Sequence, residues 1–160
     1  MSTMLNVLFL LVCMPGVSTL NVVEEMQTDQ QQEIEKSIVE THARMKLAAE
    51  QRNVEGLYEY VMEMDKGVII EDGRLRRTRD EALRSTRQGM QGLKELAYTY
   101  AQTYVTVLSP TAALWVGEGT ASATLENGRQ ISGPFAETIV FVKTGGVWKV
   151  LHAHRSAPNR

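Results

Sequence analysis

From residue 96 to residue 158 the sequence runs in long alternating β-type stretches, each closed by a turn signal. The stretches are 96–108 before Ser109-Pro110, 112–125 before Asn127-Gly128, 131–143 before Gly145-Gly146, and 146–158 to close. Asn-Gly is a strong two-residue hairpin signal, because the tight turn needs positive φ at both central positions. Strands this long, joined by turns this short, pair with their sequence neighbours, so the C-terminal half is an antiparallel meander. The last stretch is apolar on both faces and belongs inside a sheet rather than on its rim. Strict alternation puts Trp148, Val150, His152, His154 and Ser156 on one face, and Val147, Leu151, Ala153 and Arg155 on the other. The same rule gives Tyr98, Tyr100 and Tyr104 one shared face, as a cavity lining or as a contact between sheets.

The N-terminal half has helical spacing. In 29–51, Ile34, Ile38, Met45 and Ala48 or Ala49 fall near one face, and Arg52-Asn53 breaks the pattern. Residues 54–62 give a second, shorter helix with Leu57 and Val61 inward. A β-branched run at 67–71 reads as a strand, and Asp72-Gly73 turns it into a partner at 74–76. Thr78-Arg79-Asp80-Glu81 has the form of a capping box, which starts a third helix reaching about Leu93. Leu83, Thr86, Met90 and Leu93 supply its apolar stripe. The order predicts an α+β fold, with three N-terminal helices packed on a curved, mainly antiparallel sheet. No repeat or linker divides it, so residues 30–158 form one domain behind a flexible segment at 19–29.

Hydrophobic residues make up 43% of the 160, enough for one core. The net charge of −2 argues against nucleic acid or an anionic membrane as partner. The single cysteine, Cys13, allows neither an internal disulfide nor a cysteine zinc site. Residues 5–14 are an apolar core too short to span a bilayer, followed by Pro15-Gly16 and small residues. This is the layout of a signal peptide over 1–18, cleaved after Ser18. It predicts a secreted or periplasmic protein without membrane association after cleavage, and a cytoplasmic one if the run is not a signal.

The element order resembles the nuclear transport factor 2-like, or SnoaL-like, superfamily, a cone-shaped α+β fold. That superfamily includes ketosteroid isomerase, polyketide cyclases and the association (hub) domain of calcium/calmodulin-dependent kinase II. The sharpest local likeness is to the hub domain: Glu137-Thr138, a glycine turn, Trp148, then His152-x-His154-Arg155-Ser156. The hub resemblance implies a cavity arginine at Arg155, while two further arginine positions of that cavity fall on Gly117 and Ile139. It also implies self-association, with a homodimer as the first expectation. The isomerase resemblance rests on Ile70-Glu71-Asp72 and implies Asp72 as a general base. Its oxyanion donors would fall on Met45 and Thr138, neither of which supplies a strong donor.

Several groups carry candidate chemistry beside plainer readings. His152 and His154 form a same-face pair that His42 with Glu118 or Glu137 could complete as a metal site, but imidazoles that fix a sheet end fit better, so no metal and no cofactor is expected. Asp72 equally suits its turn. Arg74, Arg76, Arg77, Arg79, Arg84 and Arg87 read as a solvated face more than as an anion rim. Trp115, Tyr100, Glu137 and Arg155 are the candidate ligand-binding residues, with Glu137 paired to Arg155 across neighbouring strands. The expectation is a non-catalytic binder of a small molecule, and the alternative is an isomerase or cyclase using Asp72.

Overall fold

The computed structural model describes residues 19–66, 68–71 and 73–158, with side chains from residue 28 onward. The expected signal segment and Asp72 lie outside the described residues.

Helix α1 (Thr19–Glu50) is 32 residues long. Its buried stripe is Ile34, Ile38, Thr41, His42, Met45, Ala48 and Ala49, spaced in steps of three and four. Glu, Gln and Met dominate residues 24–32 and favour helix, and α1 runs back to Thr19. The helix stops where Arg52 takes φ 57° and the Asn53 N–H donates to the Ala48 carbonyl at 2.9 Å. Helix α2 (Val54–Tyr58) follows, with the Asn53 side chain accepting from the Gly56 N–H at 2.9 Å. Helix α3 (Arg79–Gly89) begins at a capping arrangement: Thr78 Oγ1 accepts from Glu81 N–H at 3.1 Å, and Glu81 Oε2 accepts from Arg77 N–H at 2.9 Å. Only α1 lies across the sheet; α2 bridges it to α3. The expectation of three helices on the sheet is corrected here, since mostly polar α3 fully buries only Ala82.

The strands are β1 (Ile69–Glu71), β2 (Arg74–Arg76), β3 (Leu93–Ser109), β4 (Ala112–Leu125), β5 (Gln130–Thr144) and β6 (Val147–Ser156). They form one six-stranded curved sheet in the order β2-β1-β6-β5-β4-β3. β3 to β6 are the expected meander, and the turn into β5 holds Gly128 at φ 82°. β1 joins β6 in parallel, Ile69 opposite Ala153 and Glu71 opposite Arg155, so the sheet is mixed.

Two of the four register shifts in the long strands overturn the strict alternation next to the site. On β3, Tyr100 pairs with Gly119 and Gln102 with Glu118, leaving Ala101 as an extra residue. Tyr98 and Tyr100 therefore face inward, whereas beyond the bulge Val105 and Val107 do, and Tyr104 is turned out at 63% exposure. On β6, Phe141 of β5 pairs with Val150 and Val140 with His152, so Leu151 is extra. Trp148 and Val150 consequently share the inner face with Ala153 and Arg155, and His152 and His154 point outward. The core between α1 and the sheet centres on Ile38, Trp115, Ile139, Phe141 and Val150.

Candidate functional site

Where α1 crosses the sheet, a cavity of about 260 Å³ remains between them, closed on its far side by α2 and α3. Most of its wall is apolar, with Met45, Leu57, Met90, Leu96 and Ile139 contributing. One wall is polar, and every group in it is placed by a strand or by the buried stripe of α1.

Glu137 is its centre, 6% exposed on the inner face of β5. Its Oε2 accepts from Arg155 Nε at 3.0 Å and from the same guanidinium's Nη2 at 2.7 Å. The two residues sit opposite each other on β5 and β6, so the strand register makes the pair. Its Oε1 accepts from the Tyr100 hydroxyl on β3 and lies 3.3 Å from His42 Nε2 on α1. Burial alone would raise the Glu137 pKa. The hydrogen bond from His42, the charge of Arg155, and the hydrogen bonds from Tyr100 and Arg155 outweigh it and hold the carboxyl at about 2. Tyr100 is driven the other way, by burial first and then by the charge of Glu137. Burial works against the Arg155 cation, but Glu137 more than offsets it, so the guanidinium stays protonated.

Aromatic rings fix these groups. The His42 ring stacks on Trp115 at 3.8 Å and 15°. Trp115 in turn lies over Gly117, where an added Cβ would come within 2.3 Å of the indole. The Arg155 guanidinium lies 4.9 Å from the Tyr98 ring and 5.5 Å from that of Phe135. Its Nη1 donates to the Tyr98 hydroxyl at 3.1 Å and approaches Glu71 at 3.8 Å. Tyr98 is anchored by its backbone, whose N–H donates at 2.8 Å to Glu50, the ion-pair partner of Lys46. A second polar spot faces the same cavity, where Tyr58 Oη and Thr86 Oγ1 are 2.7 Å apart; burial pushes the Tyr58 pKa up to about 12.

Of the four candidate ligand residues, Tyr100, Glu137 and Arg155 meet at this wall. Trp115 does not reach the cavity; it is 1% exposed and backs the His42 ring. Gly117, at a position where the hub resemblance implies an arginine, is covered by that indole. The three histidines do not converge, because His42 is inside and the other two are outside the sheet. Among the described residues no group of three His, Cys, Asp or Glu side chains is arranged to hold a metal. Two members of the arginine run are tied to structure: Arg79 donates to the Tyr58 carbonyl at 2.8 and 3.1 Å, and Arg87 pairs with Glu55. His42 was the residue whose part in this wall the sequence signalled least openly. It falls four residues after Ile38 and three before Met45, on the apolar stripe itself. Tyr98 takes the cavity-lining place that was one of two readings of the tyrosine face, and Glu71 had been given no part in the wall.

The family model of the SnoaL-like domain matches residues 38–160. No curated protein matches the chain in sequence. Among solved structures, a nuclear transport factor 2-like superfamily protein from Salmonella enterica superposes with a TM-score of 0.71 at 16% identity, covering 84% of this chain and 94% of that one. The association domain of C. elegans CaMKII gives 0.65 at 19% identity, covering 80% and 98%. A hexachlorocyclohexane dehydrochlorinase, LinA type 2, gives 0.66 at 15% identity, covering 79% and 86%. These likenesses establish the fold; an assembly domain and an enzyme both carry it.

Proposed function

Since the chain belongs to the SnoaL-like domain family, we propose that it is a non-catalytic small-molecule binder that holds its ligand in the cavity under α1. The observation that carries this reading is the state of Glu137. A general base must exchange a proton near the working pH. Glu137 accepts from two nitrogens of one guanidinium, from a phenol and from an imidazole, and its pKa of about 2 keeps it charged throughout the neutral range. The carboxylate is taken up in organising the polar wall, with its oxygens engaged by Arg155, Tyr100 and His42, which supports a binding role for the cavity. An apolar cavity with a few convergent polar groups remains, which is the usual form of a ligand site.

The test is to titrate the protein with a panel of single-ring ketones, alcohols and acids while following the stacked Trp115 by fluorescence, and to assay the same panel for turnover. Saturable binding without product is expected. Steady turnover that Asp72→Asn abolishes, with the fold intact, would establish the isomerase or cyclase alternative in its place.

Self-association through the outer face of the sheet accompanies this reading. Tyr104 pairs with Val116 and Thr106 with Leu114, and the rows continue to Thr138 and Val140 on β5. Those side chains point away from the core and form an apolar band that none of the described helices covers, the kind of surface a second copy buries. The apolar run over 1–18 is read as directing export, so the exported protein would begin after Ser18 when mapped by mass spectrometry.

A further inference from the structure

Of the three tyrosines that line the cavity, Tyr58 shares its hydroxyl with Thr86 at 2.7 Å on the far side, while Tyr98 and Tyr100 stand side by side on β3, where hydrogen-bond accounting separates their roles. Each phenol has one hydrogen to give and can accept in return. Tyr100 donates its hydrogen to Glu137 Oε1, so it has none for a guest. Tyr98 stands in the opposite position: its oxygen accepts from Arg155 Nη1, and its hydrogen has no acceptor among the described residues. Accepting from a cation also polarises the phenol and strengthens it as a donor.

The charges around it decide what it can donate to. Among the described lining residues the cations are Lys46 and Arg155. Lys46 is held by both oxygens of Glu50 at 2.7 and 2.8 Å. Arg155 is matched by Glu137 at 2.7 Å and approached by Glu71 at 3.8 Å. A carboxylate guest would find no uncompensated cation and would meet Glu71 and Glu137 instead, a like-charge arrangement in a mostly apolar space.

We infer that Tyr98 is the recognition residue of this cavity and that it selects a neutral carbonyl compound, an apolar body bearing a ketone-type oxygen, over the matching carboxylate. The inference rests on the ligand-binding reading and narrows it. It reverses the preference that an arginine-lined cavity would show, and it moves the polar contact from Tyr100 to its neighbour on β3.

Dissociation constants are to be measured by ligand-observed NMR for 4-phenyl-2-butanone, 3-phenylpropanoate and butylbenzene, with the wild type, Tyr98→Phe and Tyr100→Phe. The ketone is expected to bind at least about tenfold tighter than the carboxylate, the effect of one well-made hydrogen bond plus an avoided repulsion. Tyr98→Phe keeps the ring against Phe135 and Arg155, and should weaken the ketone about tenfold while leaving butylbenzene unchanged. Tyr100→Phe should leave the ratio of ketone to hydrocarbon affinity as it was. A tighter carboxylate, or an equal loss of ketone and hydrocarbon in Tyr98→Phe, overturns the inference and leaves the binding reading standing. Failure of all three probes to bind overturns both.

Discussion

A carboxylate clamped in this way gives up its stabilisation only when it takes on a proton. The folded pKa of Glu137, about 2, lies below its ordinary 4.5, so its contribution is fully present above pH 4.5 and is lost as pH falls toward 2. The gap corresponds to about 3 kcal/mol of folding free energy. Urea unfolding at pH 5 and at pH 2.5 should therefore show most of that loss in the wild type. Glu137→Gln should flatten this pH dependence and cost about 3–5 kcal/mol at pH 7, because it leaves the Arg155 cation without its partner. Equal stability of wild type and variant at pH 7 would mean that the network is ornamental. The same accounting explains why Arg155 attracts notice as a ligand cation in the sequence and turns out to be occupied: its partner is one strand away in space and 18 positions away in the chain.

At the level of elements, the hairpin signals carried most of the information. Ser109-Pro110, Asn127-Gly128 and Gly145-Gly146 place the strand ends within a few residues, and the pairing of Glu137 with Arg155 follows from alternation on β5 and register with β6. The two bulges did not announce themselves. Ala101 and Leu151 are ordinary strand residues, and the extra residue is a property of two strands pairing, not of either sequence. Missing them misplaced Tyr104 and put Arg155 on the face opposite Trp148. His42 escaped for another reason: a polar residue on an apolar stripe shows its partners only once β3 and β5 are in place. Gly117 has a legible cause only in three dimensions, since it makes room for the indole. Gly117→Ala should force the ring off His42 and cost about 1–3 kcal/mol by overpacking, read as a lower Tm and a shifted tryptophan emission. An unchanged melt would show that Trp115 moves freely.

The molecule as a whole presents two faces of one sheet with opposite fates. The inner face is filled by α1 and the cavity; the outer carries Leu114, Val116, Val140 and Tyr104, which no element among the described residues covers. Val116→Asp sits centrally on the outer face, opposite Tyr104 on one side and Thr138 on the other. A wild type that scatters light as a dimer and a variant that scatters as a monomer, with matching circular dichroism, is the expected outcome. A monomeric wild type would remove self-association from the proposed function.

The parallel pairing of β1 with β6 has a kinetic meaning as well. β3 to β6 can zip up from neighbouring hairpins, but β1 must wait for the last strand of the chain, more than eighty residues later, and is then held by three residue pairs. Its hairpin carries Glu71 to the cavity wall, so the same joint that completes the fold also borders the guest's space. Amide protons at Ile69–Glu71 should exchange with solvent well before those in the middle of β4 and β5, and a bound guest should slow them first.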